Sequence, residues 1–200
     1  YNMSLADLES GENLFESDSD PRGCGITELG YWFIGGILKH LPALSAVISP
    51  TVNSYKRINA PITASGATWS PNSITWSGNN RTHMVRTPDS GRFEFRLADG
   101  AANPYLMQAA YLAAGLDGIA KKINPGKRSD IDMYTDGNKV RAKRLPLYMI
   151  DALRAFDRNK VLKANLGNEF SAAYLKIKMD EWNDYSRHLT QWERDNTLDT

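Results

Sequence analysis

Cysteine is almost absent from this sequence of 200 residues: Cys24 stands alone, which excludes an internal disulfide and fits a reducing cytoplasm. Histidine is scarce as well, and His40, His83 and His188 lie too far apart in sequence for metal-ligand spacing. No run of 18 apolar residues stands out, and no basic start leads into an apolar segment, so the sequence reads as having neither membrane span nor signal peptide. Net charge is only +1, from 24 basic and 23 acidic residues, which gives no general pull toward nucleic acid or a membrane surface. Repeats and low-complexity segments are missing too. Glu9, Glu12, Glu16, Asp18 and Asp20 crowd a Gly/Ser/Asp-rich stretch at the N-terminal side, but the EF-hand glycine and terminal glutamate are not there, so they read as a solvated loop. The length suits one domain of ordinary size.

What is present is concentrated between Ser70 and Tyr105. Polar and apolar residues alternate strictly through Arg92-Phe93-Glu94-Phe95-Arg96-Leu97, so a strand here sends Phe93, Phe95 and Leu97 into a core and Arg92, Glu94 and Arg96 to the other face. Turn signals at Gly78-Asn79-Asn80 and Pro88-Asp89-Ser90-Gly91 predict a three-stranded antiparallel meander over residues 68–97, with Arg81 and Arg86 on the strand beside Glu94. Lys56, Arg57, Arg81, Arg86, Arg92 and Arg96 then surround one carboxylate. Such a cluster can neutralise oxyanions in bidentate fashion while Glu94 ligates a hard divalent cation, the electrostatic pattern of a phosphoryl-transfer pocket.

Around this centre the pattern is mostly helical. Thr27 caps a helix carrying Leu29, Trp32, Phe33 and Ile37, which is expected to stop before Pro42, with a short helix over 43–48 and a loop from Pro50 through Asn53-Ser54-Tyr55-Lys56-Arg57. Gly35-Gly36 within a helix marks close packing, and His40 reads as a capping histidine. Asn103-Pro104 starts an Ala/Leu-rich helix, buried on most sides, that ends before Asn124-Pro125-Gly126. Residues 127–144 read as a solvated basic loop. Helices are expected after Pro146, over 161–166, and from Asn168 to about Asn196, the last with an aromatic stripe for a core or a subunit interface.

The ordered motifs Gly35-Gly36-Ile37-Leu38-Lys39-His40, Asn53-Ser54-Tyr55-Lys56-Arg57, Asn80-Arg81, Arg92-Phe93-Glu94-Phe95-Arg96 and Ala101-Ala102-Asn103-Pro104-Tyr105-Leu106 resemble the C-terminal half of the glutamine synthetase catalytic domain. The resemblance implies an α+β fold: an antiparallel sheet, part of a catalytic half-barrel, packed with helices and followed by a helical tail. It implies a C-terminal part of the catalytic domain at 1–126 and a helical extension of that domain at 127–200. It further implies ATP-dependent ligation of ammonia or methylamine to the γ-carboxylate of L-glutamate through a γ-glutamyl phosphate, with Mg2+ or Mn2+, in a cytoplasmic ring-type homo-oligomer, a dodecamer. Neither nucleic acid nor membrane is an expected partner.

By the same resemblance Glu94 is a metal ligand, Arg57 and Arg96 hold glutamate and its developing acyl phosphate, and Arg81 and Arg86 face the nucleotide phosphates. Ser4 and Lys56 are further ATP contacts, and Arg57 and Arg81 are the catalytic pair. The sequence departs from the family where a flap usually carries a glutamate: Ile58-Asn59-Ala60-Pro61-Ile62-Thr63 has no acid. With Thr68-Trp69-Ser70-Pro71 and the tail around His188, this resembles the glutamate-methylamine ligase branch. The opening Tyr1-Asn2-Met3-Ser4-Leu5 reads as an interrupted strand, so the sequence is expected to be a C-terminal piece of a longer protein, inactive alone. The readings set against this are a ligase for a bulkier amine and a non-catalytic scaffold of the same family.

Overall fold

The computed structural model describes residues 1–60 and 70–197. Pro61–Thr63 of the acid-free flap segment, and Thr68 and Trp69, lie outside the described residues. Four short strands, β1 (Asn2–Met3), β2 (Trp76–Ser77), β3 (Val85–Asp89) and β4 (Arg92–Phe95), form one sheet in the order β1-β4-β3-β2. β1 and β3 both pair antiparallel with β4. Gly91, at φ 71°, takes the left-handed conformation that closes the β3–β4 hairpin. The alternation over 92–97 holds: Phe93, Phe95 and Leu97 are completely buried.

The meander itself does not hold. β2 runs parallel to β3, with Trp76 opposite Val85, because residues 78–84 form a wide loop and not a tight turn. Arg81 therefore sits on that loop, and only Arg86 lies on the strand beside Glu94.

Among the described residues seven helices accompany the sheet, making the fold α+β; the central one, α1 (Glu28–Ile48), lies against its inner face, with Phe33 beside Phe93 and Tyr31 beside Trp76. The helix is capped by Thr27, whose Oγ1 accepts from the Gly30 N–H at 3.2 Å. It continues through Pro42 where a stop was expected. A proline in a helix interior costs about 3 kcal/mol, and burial of Phe33, Ile34, Ile37, Leu41, Leu44, Val47 and Ile48 on the same helix outweighs it. Although no long apolar run stood out in the sequence, α1 is long and apolar enough for a membrane span, with mean hydropathy 1.3. However, 83% of that window is buried inside this protein, so it is the core helix. His40 lies within α1 rather than at a cap: its Nε2 is 2.8 Å from Asp117 Oδ2 and its Nδ1 2.8 Å from Asn159 Nδ2.

The expected loop after Pro50 is also helical. A Thr51/Ser54 capping box starts α2 (Val52–Ile58). α3 (Pro104–Ala120) begins as expected, with Asn103 Oδ1 accepting from the Tyr105 and Leu106 N–H groups at 3.0 and 3.1 Å. It is buried on one face only, at Ala110, Tyr111, Ala113, Ala114, Gly115 and Gly118, and leaves Leu116 53% exposed. That face lies on α1, where Gly35 and Gly36 admit the backbone of Ile123 and Gly118.

After a single 3-10 turn at Gly137–Lys139 come α4 (Met149–Arg158), α5 (Lys160–Leu166), α6 (Asn168–Arg187) and α7 (Gln191–Thr197). The long terminal helix is thus broken at His188. Its packed side is Ser171, Tyr174, Leu175, Met179 and Trp182, whereas Phe170 and Ile177 of the expected stripe face outward.

Candidate functional site

The polar face of the sheet carries the site. Because β3 and β4 pair with Arg86 opposite Glu94, the two side chains project from the same face, and Arg86 Nη1 donates to Glu94 Oε2 at 2.9 Å. Arg96, two residues on along the same face, brings its Nε to 3.7 Å from the same oxygen. Asn79 Oδ1 accepts from Arg86 Nε at 2.8 Å and fixes the direction of the guanidinium. On the other side of β4, Asn2 lies opposite Glu94 and accepts from Arg92 Nη1 at 2.7 Å.

The charges are unbalanced in a definite direction. Burial alone would raise the Glu94 pKa, but the hydrogen bond and charge of Arg86, and then the charge of Arg96, hold it below the ordinary carboxylate value. Burial is the first cause lowering the Arg96 pKa. Glu94 opposes it, and the positive charges of Arg86 and Arg81 add to it. Two guanidinium groups thus act on Glu94, and the charge of Arg81 adds to theirs at Arg96, leaving surplus positive charge. The Nη1 of Arg96 is buried and has no hydrogen-bond partner among the described residues. An unmet buried donor on a cation is costly unless an anion completes it.

The six expected cations do not all converge. Arg81 is exposed on its loop, without a hydrogen bond or ion pair among the described residues, yet close enough for its charge to act on Arg96. Arg92 is tied to Asp89 and Asn2. Arg57 is held at the far end of the strand: its Nε donates to Asp99 Oδ2 at 3.3 Å, its Nη1 to Ser70 Oγ at 3.1 Å and its Nη2 to the Leu97 carbonyl at 3.0 Å. Lys56 points to the other side of α2, with Nζ 5.5 Å from the Tyr185 ring centre. There it borders an apolar cavity of about 320 Å3 with Tyr55, Tyr148 and Trp182. Ser4 follows β1 directly and is exposed.

For a metal, Glu94 offers one hard oxygen. No group of three or more histidine, cysteine or acidic side chains able to hold a metal occurs among the described residues. Glu94 therefore fits as a single ligand, and any others must come from elsewhere. A cavity of about 380 Å3 opens beside Thr82, lined also by Ser70, Asn72, Thr75, Met133 and Arg144; it adjoins the Arg81 loop and does not include Glu94. Residues missed by the sequence reading are Asn79, which orients Arg86, and Asp99, which anchors Arg57. In sequence Asn79 reads only as part of a turn signal.

Comparison with known proteins decides the family. The family model described as glutamine synthetase, catalytic domain, matches residues 1–197. The chain belongs to the glutamine synthetase family. It is 60% identical over 198 residues to a glutamine synthetase of Rhizobium leguminosarum bv. phaseoli, covering 98% of this chain and 45% of the relative. It is 39% identical over 201 residues to a glutamate–methylamine ligase of Methyloversatilis universalis, again covering 98% and 45%. Among solved structures it resembles a GmaS/ADP complex with TM-score 0.92 and 56% identity, over 100% of this chain and 45% of that one. Apo GmaS without ligand gives 0.90 and 52%, over 100% and 44%. The chain therefore spans less than half the length of these glutamine synthetase-family relatives.

Proposed function

We propose that the full-length protein uses ATP to join ammonia or methylamine to the γ-carboxylate of L-glutamate through a γ-glutamyl phosphate, and that this chain is the part supplying the arginine cluster. The observation that carries the reading is the Arg86–Glu94–Arg96 constellation, with the Arg96 Nη1, unpartnered among the described residues, in its midst, in a chain of this family. A surplus of fixed guanidinium charge stabilises oxyanions without reorganising, which is what transfer of a phosphoryl group to a carboxylate requires.

In this reading Arg96 donates to the glutamate carboxylate and its developing acyl phosphate, and Arg81 and Arg86 face the nucleotide phosphates. The ADP complex of the similar GmaS supports a nucleotide ligand. Glu94 contributes one ligand to a divalent cation, Mg2+ or Mn2+. Arg57, with three donors committed to Asp99, Ser70 and Leu97, shapes the far end of the glutamate site. Ser4 lies at the nucleotide edge. Lys56, turned toward Tyr185, would have to swing away from that ring to reach a phosphate.

We treat residues 127–200 as an extension of the domain begun by 1–126, because α4 packs on α1 and Asn59 Nδ2 donates to the Leu147 carbonyl at 2.8 Å. The full protein is read as a cytoplasmic homo-oligomer, and this chain alone as inactive.

The test is phosphate release by the full-length protein with ATP, glutamate and magnesium, comparing ammonia, methylamine and ethylamine. Preference for methylamine places it with the glutamate–methylamine ligases, and preference for ammonia with the glutamine synthetases. No release with any amine overturns the ligase reading and leaves a scaffold.

A further inference from the structure

Residues 127–145, of which 127–144 read in sequence as a solvated basic loop, lie as a strap along the chain that leads into β2 and on through the Arg81 loop. At one end the Ile74 N–H donates to the Lys143 carbonyl at 2.7 Å and the Leu145 N–H to the Asn72 carbonyl at 2.8 Å. At the other, the Ser129 N–H donates to the Trp76 carbonyl at 3.1 Å, and Asp130 Oδ1 accepts from Ser77 Oγ at 3.2 Å. Between them the contacts bracket Arg81. Asn80 Nδ2 donates to the Ile131 carbonyl at 3.3 Å, and the Met133 N–H donates to Thr82 Oγ1 at 2.9 Å.

The buried member of this set is His83, two residues beyond Arg81 and wholly inaccessible. Its Nε2 is 2.8 Å from the Ile131 carbonyl and its Nδ1 2.9 Å from Thr75 Oγ1. A carbonyl can only accept, so Nε2 carries the proton and donates to Ile131, and Nδ1 accepts from the Thr75 hydroxyl. One neutral tautomer thus joins three segments. Burial favours the neutral form by pushing the His83 pKa down. Arg81, by contrast, has no side-chain tether among the described residues, so where its guanidinium can reach depends on the backbone beneath it.

We propose that His83 is a positioning residue for Arg81: it latches the 127–145 strap to the 78–84 loop and so fixes the backbone from which Arg81 reaches the oxyanions beside Glu94. The inference rests on the reading of Arg81 given above. A misplacement of about 1 Å in an orienting group can cost roughly 100-fold in rate, so loosening this loop acts on turnover rather than on the fold alone.

The experiment is a double-mutant cycle in the full-length protein. His83→Phe keeps a ring in the space and drops both hydrogen bonds; His83→Gln keeps an N–H donor and a carbonyl acceptor. Each is made with Arg81 and with Arg81→Ala, and kcat, KM for ATP and Tm are measured. Expected are a fall of kcat by about 10- to 100-fold for His83→Phe, substantial recovery in His83→Gln, and no further fall when His83→Phe is added to Arg81→Ala.

An additive loss in the Arg81→Ala background overturns the positioning role and leaves the ligase reading intact. Unchanged kcat in a folded His83→Phe protein overturns it as well. Should Arg81→Ala itself turn over like the wild type, the role of Arg81 fails and the proposal with it. If His83→Phe does not fold, Thr82→Val, which cuts the link to Met133, is to show the same non-additivity, and additivity there is again the overturning result.

Discussion

Gly36 of α1 and Gly118 of α3 touch backbone to backbone: a Cβ on Gly36 would stand 2.7 Å from Gly118 Cα, and one on Gly118 would stand 2.7 Å from Gly36 Cα. Neither helix can retreat without opening the core at Phe33, Ile37 and Ala114, all buried. Gly36→Ala should therefore destabilise by about 3 kcal/mol, at the upper end of overpacking costs, although alanine is the better helix former. Thermal or urea unfolding of the full-length protein checks this, and an unchanged or raised Tm would show that the helices can part.

Glu94→Gln keeps an oxygen for Arg86 to donate to and removes the negative charge. The stability change should be small, about 1 kcal/mol, because the pair is partly exposed. Metal-dependent turnover should fall at least about 100-fold, in the range seen when a charge-stabilising group is lost. Phosphate release titrated with magnesium, alongside Tm, separates the two effects. Wild-type turnover in this variant would remove Glu94 from the metal site.

Arg96→Ala should raise KM for glutamate more than KM for ATP, since its Nη1, without a partner among the described residues, is the donor assigned to the carboxylate. Steady-state kinetics with each substrate varied in turn decide the matter. The reverse pattern would exchange the roles of Arg96 and the Arg81–Arg86 pair.

Acid should weaken the fold in two stages. His83 is held below its ordinary value by burial, although the Ile131 carbonyl and the charges of Asp130 and Asp132 pull upward. Below the unfolded-state value of about 6.5, the unfolded chain takes up a proton that the folded one refuses. Stability therefore falls as pH drops through that point, by at most about 1.4 kcal/mol per pH unit. Asp99 and Asp117 are depressed despite burial, by the Ala101 N–H, Ser54 and Arg57 and by Lys121 and His40 respectively. Their contribution is present above the unfolded value of about 4 and lost below it. Tm measured from pH 7.5 to 4.5 in wild type and His83→Gln should show the first stage only in the wild type. A flat wild-type profile down to pH 5 would contradict it.

Where one local rule acts alone, the sequence was readable. The alternation of 92–97, the Asn103-Pro104 helix start and the tight Gly35-Gly36 contact all appear as read. Where tertiary packing overrides local preference, it was not: burial carries α1 through Pro42, and the Thr51/Ser54 capping box turns an apparent loop into α2. The site divides in the same way. Arg86, Glu94 and Arg96 share a face by strand periodicity, whereas the departures of Lys56 to Tyr185 and Arg57 to Asp99 depend on partners 129 and 42 positions away in sequence. The strap was hidden for another reason. Apart from Asp130, the strap is held to the chain around β2 and Arg81 through its own backbone carbonyls and N–H groups, which leave no trace in its side-chain pattern.

That strap also sets an order of events during synthesis. The Arg81 loop leaves the ribosome well before the residues that fasten it, which end at Leu145. At roughly 5–20 residues per second, the loop waits on the order of ten seconds for its fastening. Nascent chains halted before Ser129 has emerged should hold a protease-sensitive Arg81 segment, and those halted well beyond Leu145 a protected one.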